Sequence, residues 1–337
     1  MKHFLFLLVI VFTYPPLMSQ STKSIGKIHI INIAANALLD SSASIEVLAD
    51  GFDWAEGPLW WKEEKAVLFS DVPQNTVFIW KDNGEGAKPY IKPSGYTGFG
   101  KYSGEPGSNG LTRDLKGNLI SCEHGDRRIS MMPLNIRGGK RTITDNINGK
   151  QFNSPNDVIV DSKGRLYFTD PPYGLPKQEK DIENMQTGHF GVYLYDKGKT
   201  TMIIGDLTRP NGLTLSPDEK VLYIAQSDPD KAIYMKYPVL ANGMVGRGSL
   251  LFNATPMVKD GLIGLPDGIK MDHLGNIWGT GPGGILIISP KGVLLARIET
   301  GQATANCGWG EDGSTLFITA DMFLCRLKTK VMGVPFR

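Results

Sequence analysis

PNDVIVDSKGRLYFTD, residues 155–170, reads as a β-hairpin from its side chains alone. Val158 and Val160, then Leu166 and Phe168, alternate with their neighbours on either side of an Asp-Ser-Lys-Gly turn at 161–164. The same plan returns along the chain: a polar head, an apolar pair, a turn carrying Gly or Asp, and a second apolar run. Its other instances are EGPLWWKEEKAVLFSD from Glu56, NGLTRDLKGNLISCE from Asn109, PNGLTLSPDEKVLYIA from Pro210, PDGIKMDHLGNIWGT from Pro266 and NCGWGEDGSTLFITA from Asn306. Successive heads lie roughly forty to fifty-five residues apart, the length a four-stranded blade needs. Segments 191–195 and 285–288 carry further strand-like runs between the hairpins.

Six such repeats predict an all-β fold, a six-bladed β-propeller, as one domain over residues 21–337. A β-sandwich rarely shows internal self-similarity, and a solenoid has a shorter period. No stretch has a helical period long enough to propose a helix of importance. Residues before Glu56 are expected to complete the last blade. Segments 99–108 and 171–188 exceed what the blades need and read as loops, the second rich in charge and placed over the channel mouth.

Composition agrees with many short strands and turns. The 337 residues include 40 Gly and 21 Pro, and 36 Lys plus Arg against 34 Asp plus Glu leave a net charge of +2. No basic run is long enough to follow a phosphate backbone, so nucleic acid is not an expected partner. Lys2 and His3 precede an apolar run from Phe4 to Phe12, then Pro15, Pro16, Ser19 and Gln20, the order of a secretory signal. Residues 1–20 are therefore expected to be removed and the protein exported, periplasmic or secreted, with no membrane attachment afterwards; the run is too short to span a bilayer. Cys122, Cys307 and Cys325 form neither a disulfide framework nor a zinc knuckle; they read as buried apolar residues, with a Cys307–Cys325 bridge left open.

In a propeller the first strand of each blade lines the axis, so the head residues converge: Glu56, Asn109, Asn156, Asn211, Asp267 and Asn306. All carry a hard oxygen. Two carboxylates with several amide oxygens suit Ca²⁺, or another divalent ion, and supply none of the His or Cys that zinc prefers. Asn or Asp before Gly is also ordinary turn chemistry, and Asn109 and Asn306 are read mainly that way. Glu56 does not fit a turn and still holds the same place.

These motifs, in this order and over almost the whole chain, resemble the gluconolactonase and senescence-marker-protein (regucalcin-like) lactonase family. The resemblance implies a divalent ion, usually calcium, on the axis, held by Glu56, Asn156, Asn211 and Asp267, with Asn156 contacting substrate in some members. The CEHGDRRI segment, by that resemblance, places His124 and Arg127 near the channel mouth; Asn109, Asn156 and His124 are the expected substrate contacts. For His124 the alternative is a histidine at the surface or behind the site, hydrogen-bonded to backbone; for Arg127 and Arg128, solvated charges at a strand end.

The expected reaction is opening of a sugar-type lactone, with Asp267 as ligand and candidate catalytic base, and His124 or a metal-bound hydroxide as the base if Asp267 is a ligand alone. No Gly-x-Ser-x-Gly elbow offers a serine nucleophile. A phosphotriester or aryl ester on the same site, and a non-catalytic calcium-binding propeller, are the alternatives. Oligomeric state is open.

Overall fold

The computed structural model describes residues 23–134 and 138–334. The expected secretory signal lies outside them. Six four- or five-stranded antiparallel sheets follow one another along the chain, as a six-bladed propeller requires, beside a two-stranded ribbon of Asn146–Ile147 and Lys150–Gln151. The first four blades consist of Ala55–Trp61 to Ala87–Ile91, Ser108–Arg113 to Arg141–Thr144, Val158–Val160 to Lys199–Ile204, and Pro210–Leu215 to Ser249–Asn253. The fifth runs from Ile269–Met271 to Leu294–Glu299 and gains Lys27–Ile30 as an outer strand. The sixth begins at Thr304–Gly310 and is finished by the N-terminal strand Ile45–Asp50, which pairs with Phe323–Lys328. The ends of the chain thus close the ring, as the position of the first repeat implies.

Local chemistry sets each hairpin. Val158 faces Phe168 and Val160 faces Leu166 across the strands. At the turn, Asp161 Oδ1 accepts from the amides of Lys163 and Arg165, both at 2.9 Å, and Gly164 takes the positive φ of 78° that closes it. Asp114 and Asp272 repeat this arrangement toward the amides of Asn118 and Asn276, each at 2.8 Å. An aspartate at the turn start therefore caps the loop that the repeat was recognised by.

Each pair of adjacent blades encloses an apolar cluster. Ile120 and Cys122 of the second blade pack on Val158 and Phe168 of the third, and Trp60 and Phe69 of the first pack on Phe317 and Leu324 of the sixth. Burying a Leu- or Phe-sized side chain contributes about 1.5–3 kcal/mol, so the clusters hold the blades together around the axis. Trp278 and Cys307 pack between the fifth and sixth blades. All three cysteines are buried free thiols, so Cys307 and Cys325 are unbridged here. Among the described residues the single α-helix is the five-residue Thr255–Lys259, which the sequence reading did not anticipate.

Candidate active site at the blade heads

The head strands reach the axis by a device that the repeat encodes. In four blades the antiparallel ladder shifts register at the head, between Glu56 and Leu59, Ser108 and Leu111, Pro210 and Leu213, and Thr304 and Asn306. A bulge of this kind turns the head side chain away from the sheet face. The glycine after the head does not make a turn. A Cβ on Gly57 would sit 2.5 Å from Asn109 O, one on Gly110 2.7 Å from Asn156 O, and one on Gly212 2.1 Å from Asp267 O. Glycine is required at these three positions because each lies directly against the backbone of the next blade. Gly110 N donates to Asn156 O at 2.7 Å and Gly212 N to Asp267 O at 3.2 Å, tying the heads together.

The second strand of the hairpin anchors the segment leading into the head. Asp71 accepts from the amides of Asp53 and Trp54, and Asp170 from those of Asn153 and Ser154. The terminal Asp of FSD and FTD in the repeats thus holds its own blade's entry to the axis.

Glu56, Asn109, Asn156, Asn211 and Asp267 line one cavity of about 500 Å³. Asn109, Asn156, Asn211 and Asp267 each keep a buried side-chain oxygen without a hydrogen-bond partner. Leaving one such group unsatisfied costs about 1–3 kcal/mol, so several converging on one space mark a ligand site. Asn211 shows how the oxygen is aimed: its Nδ2 donates to Ser227 Oγ at 2.8 Å, and Ser227 Oγ donates in turn to Pro266 O at 2.6 Å. Glu56 accepts from Gly57 N at 3.1 Å and from Asn306 Nδ2 at 3.2 Å. Asn306 therefore supports Glu56 from beside it and does not line the cavity. Below the heads, Asp157 faces Lys270 at 3.9 Å, and Lys270 donates to Asn306 Oδ1 at 3.4 Å.

Burial pushes the Glu56 carboxyl up to about 7, and Asp267 is raised well above the ordinary carboxylate range by burial and by the nearby charge of Glu56. Two acids in one cavity whose lining holds no Lys or Arg could share a divalent cation. Among the described residues no three His, Cys, Asp or Glu side chains gather to hold an ion by themselves. The donor set is mixed, carboxylate and amide oxygen, and the cavity lining contains no His or Cys. That chemistry fits Ca²⁺ and does not fit zinc.

The repeat did not reveal the rest of the cavity. Trp54 precedes the first head, Glu105 and Tyr173 come from the two long loops, and Val258, Leu262 and Leu265 come from the short helix and the turn after it. His124 is fully buried and does not line the cavity; its Nδ1 lies 3.7 Å from Glu105 Oε2. Arg127 is not a solvated charge. It is buried, with Nε donating to Phe152 O at 2.6 Å and to Asn153 O at 3.0 Å, and a terminal nitrogen donating to Asn184 O at 2.5 Å. It thereby pins the charged loop to the third blade. Arg128 pairs with Glu123 at 2.6 Å and Asp126 at 3.1 Å.

The family follows from the sequence match over most of the chain, and the chain belongs to it: residues 54–321 match the SMP-30/Gluconolactonase/LRE-like region. A gluconolactonase of Zymomonas mobilis subsp. mobilis is 40% identical over 323 residues, 94% of this chain and 89% of that protein. The solved structure of a gluconolactonase from Xanthomonas campestris superposes with a TM-score of 0.77 at 26% identity, covering 92% of this chain and 99% of that one. Regucalcin of Xenopus laevis is 24% identical over 291 residues, 83% of this chain and 87% of its own length.

Proposed function

We propose that this protein is a divalent-cation-dependent lactonase that hydrolyses a sugar-type lactone, with Glu56, Asn156, Asn211 and Asp267 holding the cation. The carrying observation is the set of unpartnered buried oxygens that different blades turn into one cavity. The 40% identical gluconolactonase supports a lactone as substrate over a phosphotriester or aryl ester. A bound Ca²⁺ supplies Lewis acidity toward a carbonyl oxygen and charge stabilisation for the oxyanion.

The chain supplies the rest. Glu56 and Asp267 carry the two negative charges that match a divalent ion, and the amide oxygens complete the set without adding charge. Asn109, whose Oδ1 lacks a partner, offers hydrogen bonding to a substrate hydroxyl. Tyr173, held neutral because burial pushes its hydroxyl far up, offers a second such group. Val258, Leu262 and Leu265 form an apolar wall that covers the carbon face of a ring and keeps bulk water from it.

The test is a panel of aldonolactones, aryl esters and a phosphotriester, assayed with and without chelator and with Asp267→Ala. Chelator-sensitive lactone turnover that the substitution abolishes is expected. Calcium binding with no turnover contradicts the proposal, and turnover of the phosphotriester alone replaces the substrate.

A further inference from the structure

The blade heads provide oxygens for a cation, but an oxygen bound to a cation is a poor proton acceptor. Lactone opening needs a group that takes a proton from water and gives one to the departing ring oxygen. Glu105 lies in the cavity wall without belonging to a blade head. It hangs from the long loop before the second blade, four positions ahead of the head Asn109, with its side chain one-third exposed at the cavity.

The surroundings of Glu105 are built rather than incidental. His124 stands behind it, completely buried, with neither ring nitrogen hydrogen-bonded. The two segments are fastened backbone to backbone: His124 N donates to Gly107 O and Gly125 N to Pro106 O, each at 3.1 Å. Glu105 N donates to Ser103 Oγ at 3.1 Å, which tethers the residue within its loop. The second long loop closes the other side, where Gly174 fits so tightly that a Cβ would sit 2.5 Å from His124 Cβ. Among the described residues His124 is the single basic side chain within ion-pair distance of Glu105.

We propose that Glu105 is the proton-transferring catalytic residue of the hydrolysis, and that His124 is the positioning residue that orients its carboxyl group. The inference rests on the lactonase reading above. The Glu105 carboxylate takes a proton from water as the water oxygen bonds to the lactone carbonyl carbon. The tetrahedral adduct then re-forms its carbonyl, the bond from that carbon to the ring oxygen breaks, and Glu105 returns the proton to the leaving oxygen. One water is consumed, a hydroxy acid is released, and the carboxylate is regenerated; the product acid loses its proton to solvent.

The electrostatics agree. Removal from bulk water pushes Glu105 up to about 7, where it exchanges a proton readily at neutral pH. Burial holds His124 down at about 4, so its imidazole is neutral. The 3.7 Å gap is longer than a hydrogen bond; once closed, a neutral ring would donate to the carboxylate in one tautomer and accept from the carboxylic acid in the other, serving both halves of the cycle. Glu56 and Asp267 are the other acids that act on this part of the cavity, and Tyr173 faces it from the second loop.

The experiment uses the full chain with glucono-1,5-lactone in a pH-stat at saturating calcium chloride, with calcium titrated calorimetrically in parallel. Glu105→Gln is expected to lower kcat by about 100-fold or more, the usual scale for losing an acid–base group, with KM and the calcium Kd within about threefold. In the wild type, activity is expected to rise with pH as Glu105 ionises, with the limb below the cation-free position because bound calcium favours the carboxylate. His124→Phe is expected to lower kcat about tenfold and displace that limb, and His124→Asn, which restores a polar atom near the Nδ1 position, to recover most of the loss. Wild-type turnover with Glu105→Gln within about twofold of it overturns this inference alone. A calcium Kd weakened more than about tenfold in Glu105→Gln also overturns it, because Glu105 is then a ligand. An unmoved pH limb in His124→Phe removes the positioning role. No wild-type turnover of any lactone overturns the lactonase reading and this inference together.

Discussion

The floor of the cavity and its wall are built on opposite principles. The floor is repetitive: five blades each offer one head, and neighbouring blades meet backbone to backbone where Gly57, Gly110 and Gly212 leave no room for a Cβ. The wall is irregular: Glu105, Tyr173 and the Val258–Leu262–Leu265 face come from segments outside the repeated hairpins. A rigid floor suits a cation, whose oxygens must hold a fixed geometry. A wall built from loops suits a substrate, whose shape it can follow without disturbing the floor.

The sharpest way to break this division is at the floor. Replacing Asp267 with Asn keeps the volume and removes one of the two charges, and is expected to weaken calcium binding more than about 100-fold, beyond what loss of an outer supporting group costs. Calorimetry reads the loss. Retained affinity would mean that the floor is not the cation site.

Next in size is the contact between heads. Gly212→Ala forces a Cβ toward Asp267 O, and overpacking of this kind costs about 1–3 kcal/mol. Gly104, in the long loop, has open space around its Cβ position, and Gly104→Ala is expected to stay within about 0.5 kcal/mol of the wild type. Thermal melts of the two variants compare floor with wall directly.

The wall is tested by Leu262→Ala. Loss of apolar cover is expected to raise KM by about tenfold and leave calcium affinity unchanged, which initial-rate kinetics beside the titration would show. An equal effect on calcium binding would erase the distinction between the two regions.

The smallest effect is on stability against pH. Glu56 and Asp267 have folded-state pKa values raised above those of the unfolded chain. The cation-free native state therefore holds protons that the unfolded chain has already released, and its stability falls as pH rises from about 5 toward about 7. Calcium favours the ionised forms, so saturating calcium is expected to flatten or reverse that slope in thermal melts. A cation-free protein that grows more stable over the same interval contradicts these shifts.

The floor and the fold were legible in the sequence for the same reason. A repeat aligns its own members, so reading Pro155–Asp170 once located every head, and the propeller followed from counting them. The glycine after the head was legible but its reason was not. It reads as turn chemistry, whereas packing of one blade against the next is what demands it. Asn109 and Asn306 were treated alike by the repeat, yet Asn109 lines the cavity and Asn306 supports Glu56. That difference arises from the neighbouring blade and leaves no mark in a single hairpin.

Glu105 and the helix Thr255–Lys259 lie outside the repeat, and their segments are too short to show a period of their own. His124 was singled out with no indication that its partner would be Glu105. The pairing depends on Pro106 and Gly107 lying against the strand end at 124–125, a contact set by the ring of blades.

The central claim is most directly tested by anomalous diffraction from crystals of the full chain soaked in a lanthanide or manganese salt. The account predicts one strong peak on the propeller axis, within about 2.3–2.6 Å of the side-chain oxygens of Glu56, Asn156, Asn211 and Asp267 for a calcium-like ion. A peak held by other residues, or no axial peak at saturating metal, would contradict it.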